Sequence, residues 1–216
     1  MPFFVLEKDN PDFPPAHFAD QNGLLAVGGD ITADWLLAAY KAGVYLWSAP
    51  TEEYSWWSPD PRLVIFPQEM EISENIRSLL EGNTYNISME DDFEEALRFC
   101  HQVQNQGQMS AKWIMGVLIA AYQKLYEDGF ARMMTIRKDG NIRSAAFGAK
   151  IKDLFFLEYI CATDDTEAEL ALVALIQALE KEGLKMVDVQ KESYELPDIG
   201  LREMSRSEYI SIIGEL

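Results

Sequence analysis

Two tryptophans and two prolines stand together in Trp56-Trp57-Ser58-Pro59-Asp60-Pro61-Arg62, and no other stretch constrains the folding of this chain as much. Each proline fixes φ and removes a backbone donor. Each also pushes the residue before it, Ser58 or Asp60, towards an extended conformation. The stretch is a poor helix and a poor central strand, so it reads as a rigid, aromatic-rich connector. It places a boundary near Pro59–Pro61, between a small unit of residues 1–60 and a larger one of residues 61–216. For Trp56 and Trp57 the expectation is packing rather than binding.

Composition bounds the class. Of the 216 residues, 48% are hydrophobic and 12% aromatic, enough for a packed core and unlike a disordered chain. No run approaches the roughly 18 consecutive apolar residues of a membrane span. The start, Met1-Pro2-Phe3-Phe4-Val5-Leu6-Glu7-Lys8, lacks the basic region of a signal peptide. A cytoplasmic protein that does not engage a membrane is expected. Cys100 and Cys161 have no partner spacing and read as two buried free thiols in a reducing compartment. His, Cys and carboxylates show no ligand spacing, so no metal is expected.

The charge points away from nucleic acid. Lys+Arg 18 against Asp+Glu 36 gives −18, with pI near 4.4. Proteins that grip phosphate backbones usually carry a basic footprint. An acidic surface suits a cationic partner such as a peptide with a basic first residue, or serves solubility alone.

The periodicities give an element order. Asp30 or Thr32 caps a helix over residues 35–42 that Gly43 ends. Residues 44–47 are extended. Beyond the prolines come a strand over 62–66, a helix from Ser73 to Leu80, a strand over 85–89 and a helix from Asp91 to Gln104. That helix carries Phe93, Ala96, Leu97 and Cys100 on one face. Ser110 caps a further helix that ends at Gly129. Strands over 131–137, 142–150 and 154–162 follow, with a turn at Lys138-Asp139-Gly140-Asn141. An apolar helix over 167–181, a short buried strand over 186–189 and a helix starting near Ser205 or Ser207 complete the chain. The order β-α-β-α-α-β-β-β-α-β-α implies α+β or mixed α/β with one main sheet.

Few side chains stand out for chemistry. His17 lies in a proline-rich loop and His101 near a polar helix end; both read as surface histidines. Asp188 and Gln190 end the short buried strand, and alternation puts them on one face. A carboxylate two residues from an amide can orient it. Taken alone, the pair is also explained as a strand end satisfying loop backbone. Glu158 follows Phe155-Phe156-Leu157 in an apolar strand, where a carboxylate needs a partner.

Gly23-Leu24-Leu25-Ala26-Val27-Gly28-Gly29-Asp30, then Leu36-Leu37-Ala38-Ala39-Tyr40, Gly43, Trp47 and Trp56 to Arg62, resemble the N-terminal signature of the leucyl/phenylalanyl-tRNA–protein transferases. The resemblance continues through Trp113-Ile114, Ala121-Tyr122, Gly129, Phe155-Phe156, Glu158, Asp188-Val189-Gln190, Leu196, Ile199-Gly200 and Ser205-Arg206. It implies an α+β fold with a small N-terminal domain and a larger domain like the GCN5-related N-acetyltransferases. It implies transfer of Leu or Phe from aminoacyl-tRNA to proteins with N-terminal Arg or Lys; a monomer is expected. Such a transfer needs a positioned amine, a route for its proton and donors for the oxyanion, but no covalent nucleophile. The family assigns its Asp-Cys-Gln pair to catalysis, which carries to Asp188 and Gln190. It places its glutamate in the site, which carries to Glu158. Trp47 and Trp113 match tryptophans near the donor's terminal adenosine. Phe155 matches a residue of the amino-acid pocket, and Ala146 and Leu175 fall where its walls are expected.

The chain departs from the family at residues 68–77, Gln68-Glu69-Met70-Glu71-Ile72-Ser73-Glu74-Asn75-Ile76-Arg77, where a basic helix is usual. It also lacks the glycine-rich turn of acyl-CoA binders: Ala162-Thr163-Asp164-Asp165-Thr166-Glu167 is acidic, so CoA is disfavoured and no cofactor is expected. Two further readings follow. One is a divergent transferase of the same fold that no longer uses tRNA. The other is a non-catalytic module that binds protein N-termini through Glu158 and Asp188.

Overall fold

The computed structural model describes residues 3–47, 54–89, 92–105, 116–190 and 199–214. The first part contains β1 (Phe4–Leu6), β2 (Leu24–Gly28), α1 (Ala33–Lys41), β3 (Tyr45–Leu46) and β4 (Ser55–Trp57). The second contains β5 (Arg62–Ile65), α2 (Glu74–Glu81), β6 (Asn86–Met89), α3 (Phe93–Asn105), α4 (Gly116–Glu127), β7 (Ala131–Lys138), β8 (Asn141–Ile151) and β9 (Leu154–Ala162). It ends with α5 (Asp165–Lys181), β10 (Met186–Gln190), β11 (Arg202–Met204) and α6 (Arg206–Ile213).

The strands form a four-stranded sheet, order β1-β2-β4-β3, and a seven-stranded sheet, order β11-β5-β10-β9-β8-β7-β6. The small sheet corrects one expectation. β4 lies between β2 and β3, so Trp56 and Trp57 belong to an interior strand, not a connector. The strand needs only the donors ahead of Pro59, so the prolines end it without weakening it. Trp56 is fully buried, stacked on Trp35 at 5.7 Å and edge-on to Phe13 at 4.9 Å. Its indole N–H donates to Gly28 O at 2.9 Å, which satisfies the one polar atom that burial would orphan.

Local signals set several helix starts. Thr32, not Asp30, caps α1 by accepting from Trp35 N; Ser73 caps α2 and Ser205 caps α6. α5 starts at Asp165, capped by Asp164. The expected cap Ser110 lies outside the described residues. β11 had no sequence signal: it is three residues long and begins with the exposed pair Arg202 and Glu203.

The large sheet separates two cores. On one face α1, α3, α4 and α6 bury Tyr40, Cys100, Tyr122, Phe147, Phe156 and Tyr209. On the other α5 buries Ala146, Phe155, Leu157, Leu175 and Val189. α5 is apolar around its circumference because it fills this second layer. The expectation of free thiols is overturned. Cys100 on α3 and Cys161 on β9 form a disulfide, with Cα atoms 5.3 Å apart across 61 residues of sequence. The apolar face of α3 lies directly on β9, an adjacency that sequence spacing does not reveal.

β9 carries the irregularity that shapes the site. Its register against β8 shifts between Phe147↔Tyr159 and Gly148↔Leu157, leaving Glu158 as the extra residue of a β-bulge. The bulge turns Glu158 and Tyr159 to the same face, whereas strict alternation would separate them. Gly148, opposite the bulge, is required by proximity: a Cβ there would lie 2.0 Å from Phe156 O and 2.8 Å from Phe155 Cζ. Gly148→Ala is therefore expected to destabilise the fold by at least the 1–3 kcal/mol, roughly, of core overpacking. At about 2–4 °C per kcal/mol for a chain of this size, thermal unfolding should show a fall of several degrees. An unchanged Tm would contradict the close approach.

Candidate active site

Glu158 sits on the helical face of β9 and is buried. Its Oε2 accepts from the Tyr40 hydroxyl at 2.8 Å and from the Tyr122 hydroxyl at 3.2 Å, and the two hydroxyls lie 2.5 Å apart. Tyr40 comes from α1, Tyr122 from α4 and the carboxylate from the large sheet. The small N-terminal unit thus reaches directly into the larger one. Tyr40 is held in place by stacking on Phe156 at 4.7 Å.

Asp188 and Gln190 lie beside this cluster on β10. The β9–β10 ladder is parallel, and its last pair is Asp188↔Phe156. Beyond it the Gln190 side chain donates Nε2–H to Leu157 O at 2.9 Å, in place of the next ladder bond. Gln190 has φ 70°, a left-handed conformation that a residue with a Cβ adopts only when its surroundings enforce it. Val189 points to the second core, as alternation requires.

The Asp188 carboxylate is fully engaged with its neighbours. Arg62 binds it bidentately, Nε to Oδ1 at 2.8 Å and Nη2 to Oδ2 at 2.6 Å. Gln190 N–H donates to Oδ1 at 2.8 Å and the Tyr209 hydroxyl to Oδ2 at 2.6 Å. The rings of Tyr45 and Tyr209 lie 4.7 and 4.6 Å from the guanidinium carbon. Burial opposes the charge on Arg62, but Asp188 and the phenols around it hold its pKa above the ordinary arginine value.

The other expected site residues are placed differently. Trp47 is half-buried, edge-on to Tyr45 at 6.3 Å, and so stands one ring away from Arg62. Trp113 lies outside the described residues. Phe155, Ala146 and Leu175 come together, fully buried, but in the second core rather than on the face of Glu158. His17 and His101 are exposed.

Relatives of known name settle the family. The family model for leucyl/phenylalanyl-tRNA protein transferase matches residues 64–214, and the model for that family's N-terminal domain matches residues 29–60. The transferase of this name from Syntrophobacter fumaroxidans is 33% identical over 215 residues, covering 100% of this chain and 91% of the relative. The one from Flavobacterium johnsoniae is 33% identical over 201 residues, covering 93% of this chain and 94% of the relative. The chain belongs to the leucyl/phenylalanyl-tRNA protein transferase family.

As a member of that family it is a transferase. Its α+β fold has the expected small N-terminal unit ahead of a larger unit built on the seven-stranded sheet. Among solved structures it is similar to FemX, with TM-score 0.51 and 10% identity over 72% of this chain and 59% of that one, a likeness of fold alone. An acyl-CoA pyrophosphate does not fit the start of α5. Asp164 caps the Glu167 amide at 2.9 Å. The buried Glu167 carboxylate accepts from Arg143 at 2.9 Å, from Tyr85 at 3.2 Å and from the Thr163 hydroxyl. The chain's own carboxylates fill the helix terminus that a pyrophosphate would need.

Tyr40, Tyr122, Arg62, Tyr45 and Tyr209 were not singled out for the site from the sequence. A signal for them exists: a phenol on the buried stripe of a helix needs a hydroxyl partner, and an arginine opening the apolar strand Leu63-Val64-Ile65 needs a carboxylate. What those partners are lies far away in sequence.

The phenols titrate late. Burial, then the Glu158 charge, raises Tyr40 and Tyr122 well above the ordinary tyrosine value of 10.0; burial does the same for Tyr45 and Tyr209. A folded-state pKa above the unfolded one stabilises the fold fully below pH 10 and is lost as pH rises through the folded value. Absorbance at 295 nm should therefore show at least four of the nine tyrosines ionising only with alkaline unfolding, above pH 10. Free titration of all nine near pH 10 in the folded protein would contradict the buried network.

Proposed function

We propose that this chain transfers leucine or phenylalanine from aminoacyl-tRNA to the α-amine of proteins beginning with Arg or Lys, in the cytoplasm. The amine nitrogen attacks the ester carbonyl of the donor. The new C–N bond forms, the C–O bond to the terminal ribose breaks, and the ribose oxygen leaves with the proton that the amine gives up. The donor ester is already activated, so the protein need only align the groups and stabilise charge. The observation that carries this reading is the convergence of Glu158 and Gln190 in one buried cluster of a chain of this family.

In this reading Gln190 holds the attacking amine through its side-chain amide, and Asp188 acts through Gln190. Glu158, set by Tyr40 and Tyr122, supplies the negative field that favours a cationic first residue of the acceptor. Trp47 and Trp113 flank the terminal adenosine; stacking of a base on an aromatic ring contributes about 1–3 kcal/mol. Phe155, Ala146 and Leu175, fully buried in the second core, support the sheet behind the site rather than touching the donor's side chain.

One observation favours a second reading. Glu69, Glu71 and Glu74 are exposed on the segment leading into α2, where phosphate would be repelled. A divergent transferase would then accept a minimal aminoacyl adenosine but not charged tRNA.

The test is transfer of labelled leucine and phenylalanine from charged tRNA, and from aminoacyl adenosine, to a peptide beginning with Arg at low salt. Transfer from tRNA supports the first reading. Transfer from the adenosine alone supports the second. Silence with both leaves only a binding module. Gln190→Ala should lower kcat about 100-fold, the scale of a lost alignment. Glu158→Gln should raise KM for the Arg-peptide about tenfold or more while leaving donor KM unchanged. Wild-type rates in either variant would remove that residue from the mechanism.

A further inference from the structure

We infer that Arg62 and Tyr209 are positioning residues for the transfer: acting through Asp188, they hold Gln190 in its left-handed backbone conformation and so aim its side-chain amide. The inference rests on the proposed role of Gln190. Asp188 has two oxygens, and each accepts two donors: Arg62 Nε and Gln190 N on Oδ1, Arg62 Nη2 and Tyr209 Oη on Oδ2. A carboxylate has about four lone-pair sites, so this one has no position left for the proton of an attacking amine. Its route to the chemistry is the Gln190 N–H.

Gln190 is clamped at two points. Its backbone N–H is tied to Asp188, and its side-chain Nε2–H is tied to Leu157 O. With φ at 70° the backbone relaxes if the first clamp loosens, and the amide then swings with it. That clamp is only as firm as the carboxylate it uses. Arg62 fixes the carboxylate plane with its fork and is itself pinned between the rings of Tyr45 and Tyr209, with Nη1 on Gly43 O at 3.4 Å. A lysine would supply the charge without the fork. Tyr209 arrives from α6, so the last helix of the chain takes part in aiming the site.

The test is Tyr209→Phe, which keeps the ring over Arg62 and removes one donor from Asp188. We expect kcat for transfer to fall about tenfold, with KM for donor and peptide within about twofold, as misalignment without loss of binding predicts. In a Gln190→Ala background the same substitution should have no further effect, because both act on one step. An unchanged kcat in Tyr209→Phe, or an equal loss in both backgrounds, would overturn the inference and leave Tyr209 a packing residue. Hydrogen exchange of the Gln190 backbone amide, read in protein labelled with ¹⁵N-glutamine, should speed up at least tenfold in Tyr209→Phe and in Arg62→Lys. Unchanged exchange overturns the clamp whatever the enzyme transfers. Faster exchange in these variants, beside a wild-type protein that transfers nothing to an Arg-peptide, supports the clamp and rejects the proposed acceptor instead.

Discussion

The rest of the structure is arranged around the buried ion pair between Arg62 and Asp188. Arg62 is the first residue of β5 and Asp188 lies on the neighbouring strand β10. Tyr45 from β3 and Tyr209 from α6 close over the guanidinium, and Gly43, just after α1, accepts from it. Four distant parts of the chain thus meet at one charge. A buried pair of this kind adds little net stability over an apolar pair of the same shape. Removing one partner, however, strands the other without water, at a cost of about 3–5 kcal/mol. The pair therefore specifies one arrangement of the N-terminal unit, the sheet and the last helix, since any other leaves a charge unpaired.

The second constraint is the bulge at Glu158. It puts Tyr159 on the same face as Glu158, where the carboxylate meets Tyr40 and Tyr122. With it, the two faces of the large sheet divide their roles. The α5 face is a dry apolar layer in which Phe155, Ala146 and Leu175 pack. The opposite face gathers the hydroxyls of Tyr40, Tyr122 and Tyr209, the carboxylates of Glu158 and Asp188, the Arg62 guanidinium and the Gln190 amide, all hydrogen-bonded. Such polar groups in a low-dielectric interior are costly unless satisfied, and satisfied they become rigid. That rigidity suits a transfer whose donor is already activated, where alignment is the main task.

The helices and most strands were legible in the sequence because caps and periodicity are local. Ser73, Ser205 and the stripe Phe93, Ala96, Leu97, Cys100 behave as their spacing predicts. The strand of Trp56 and Trp57 was misread because proline signals were extended backwards over residues that the prolines do not touch. The disulfide between Cys100 and Cys161 was missed because it joins a helix to a strand across a long separation. β11 carries too few residues to show a pattern. In the site, Asp188, Gln190 and Glu158 were legible as polar groups in apolar strands, with the family resemblance giving them roles. Arg62, Tyr40, Tyr122 and Tyr209 gain meaning only from their partners.

The sequence by itself determined the helices and most strands of the larger unit, the α+β class and the membership of a transferase family. These follow from hydrophobic period, capping chemistry and motif, all of which act within a few residues of the chain. Only the tertiary structure decided that Asp188 is saturated by Arg62 and Tyr209, that Glu158 meets two tyrosines from two different helices, and that the last helix reaches the site. Those outcomes depend on which surfaces meet after folding, where burial makes an unpaired charge expensive and so favours the packing that pairs Arg62 with Asp188.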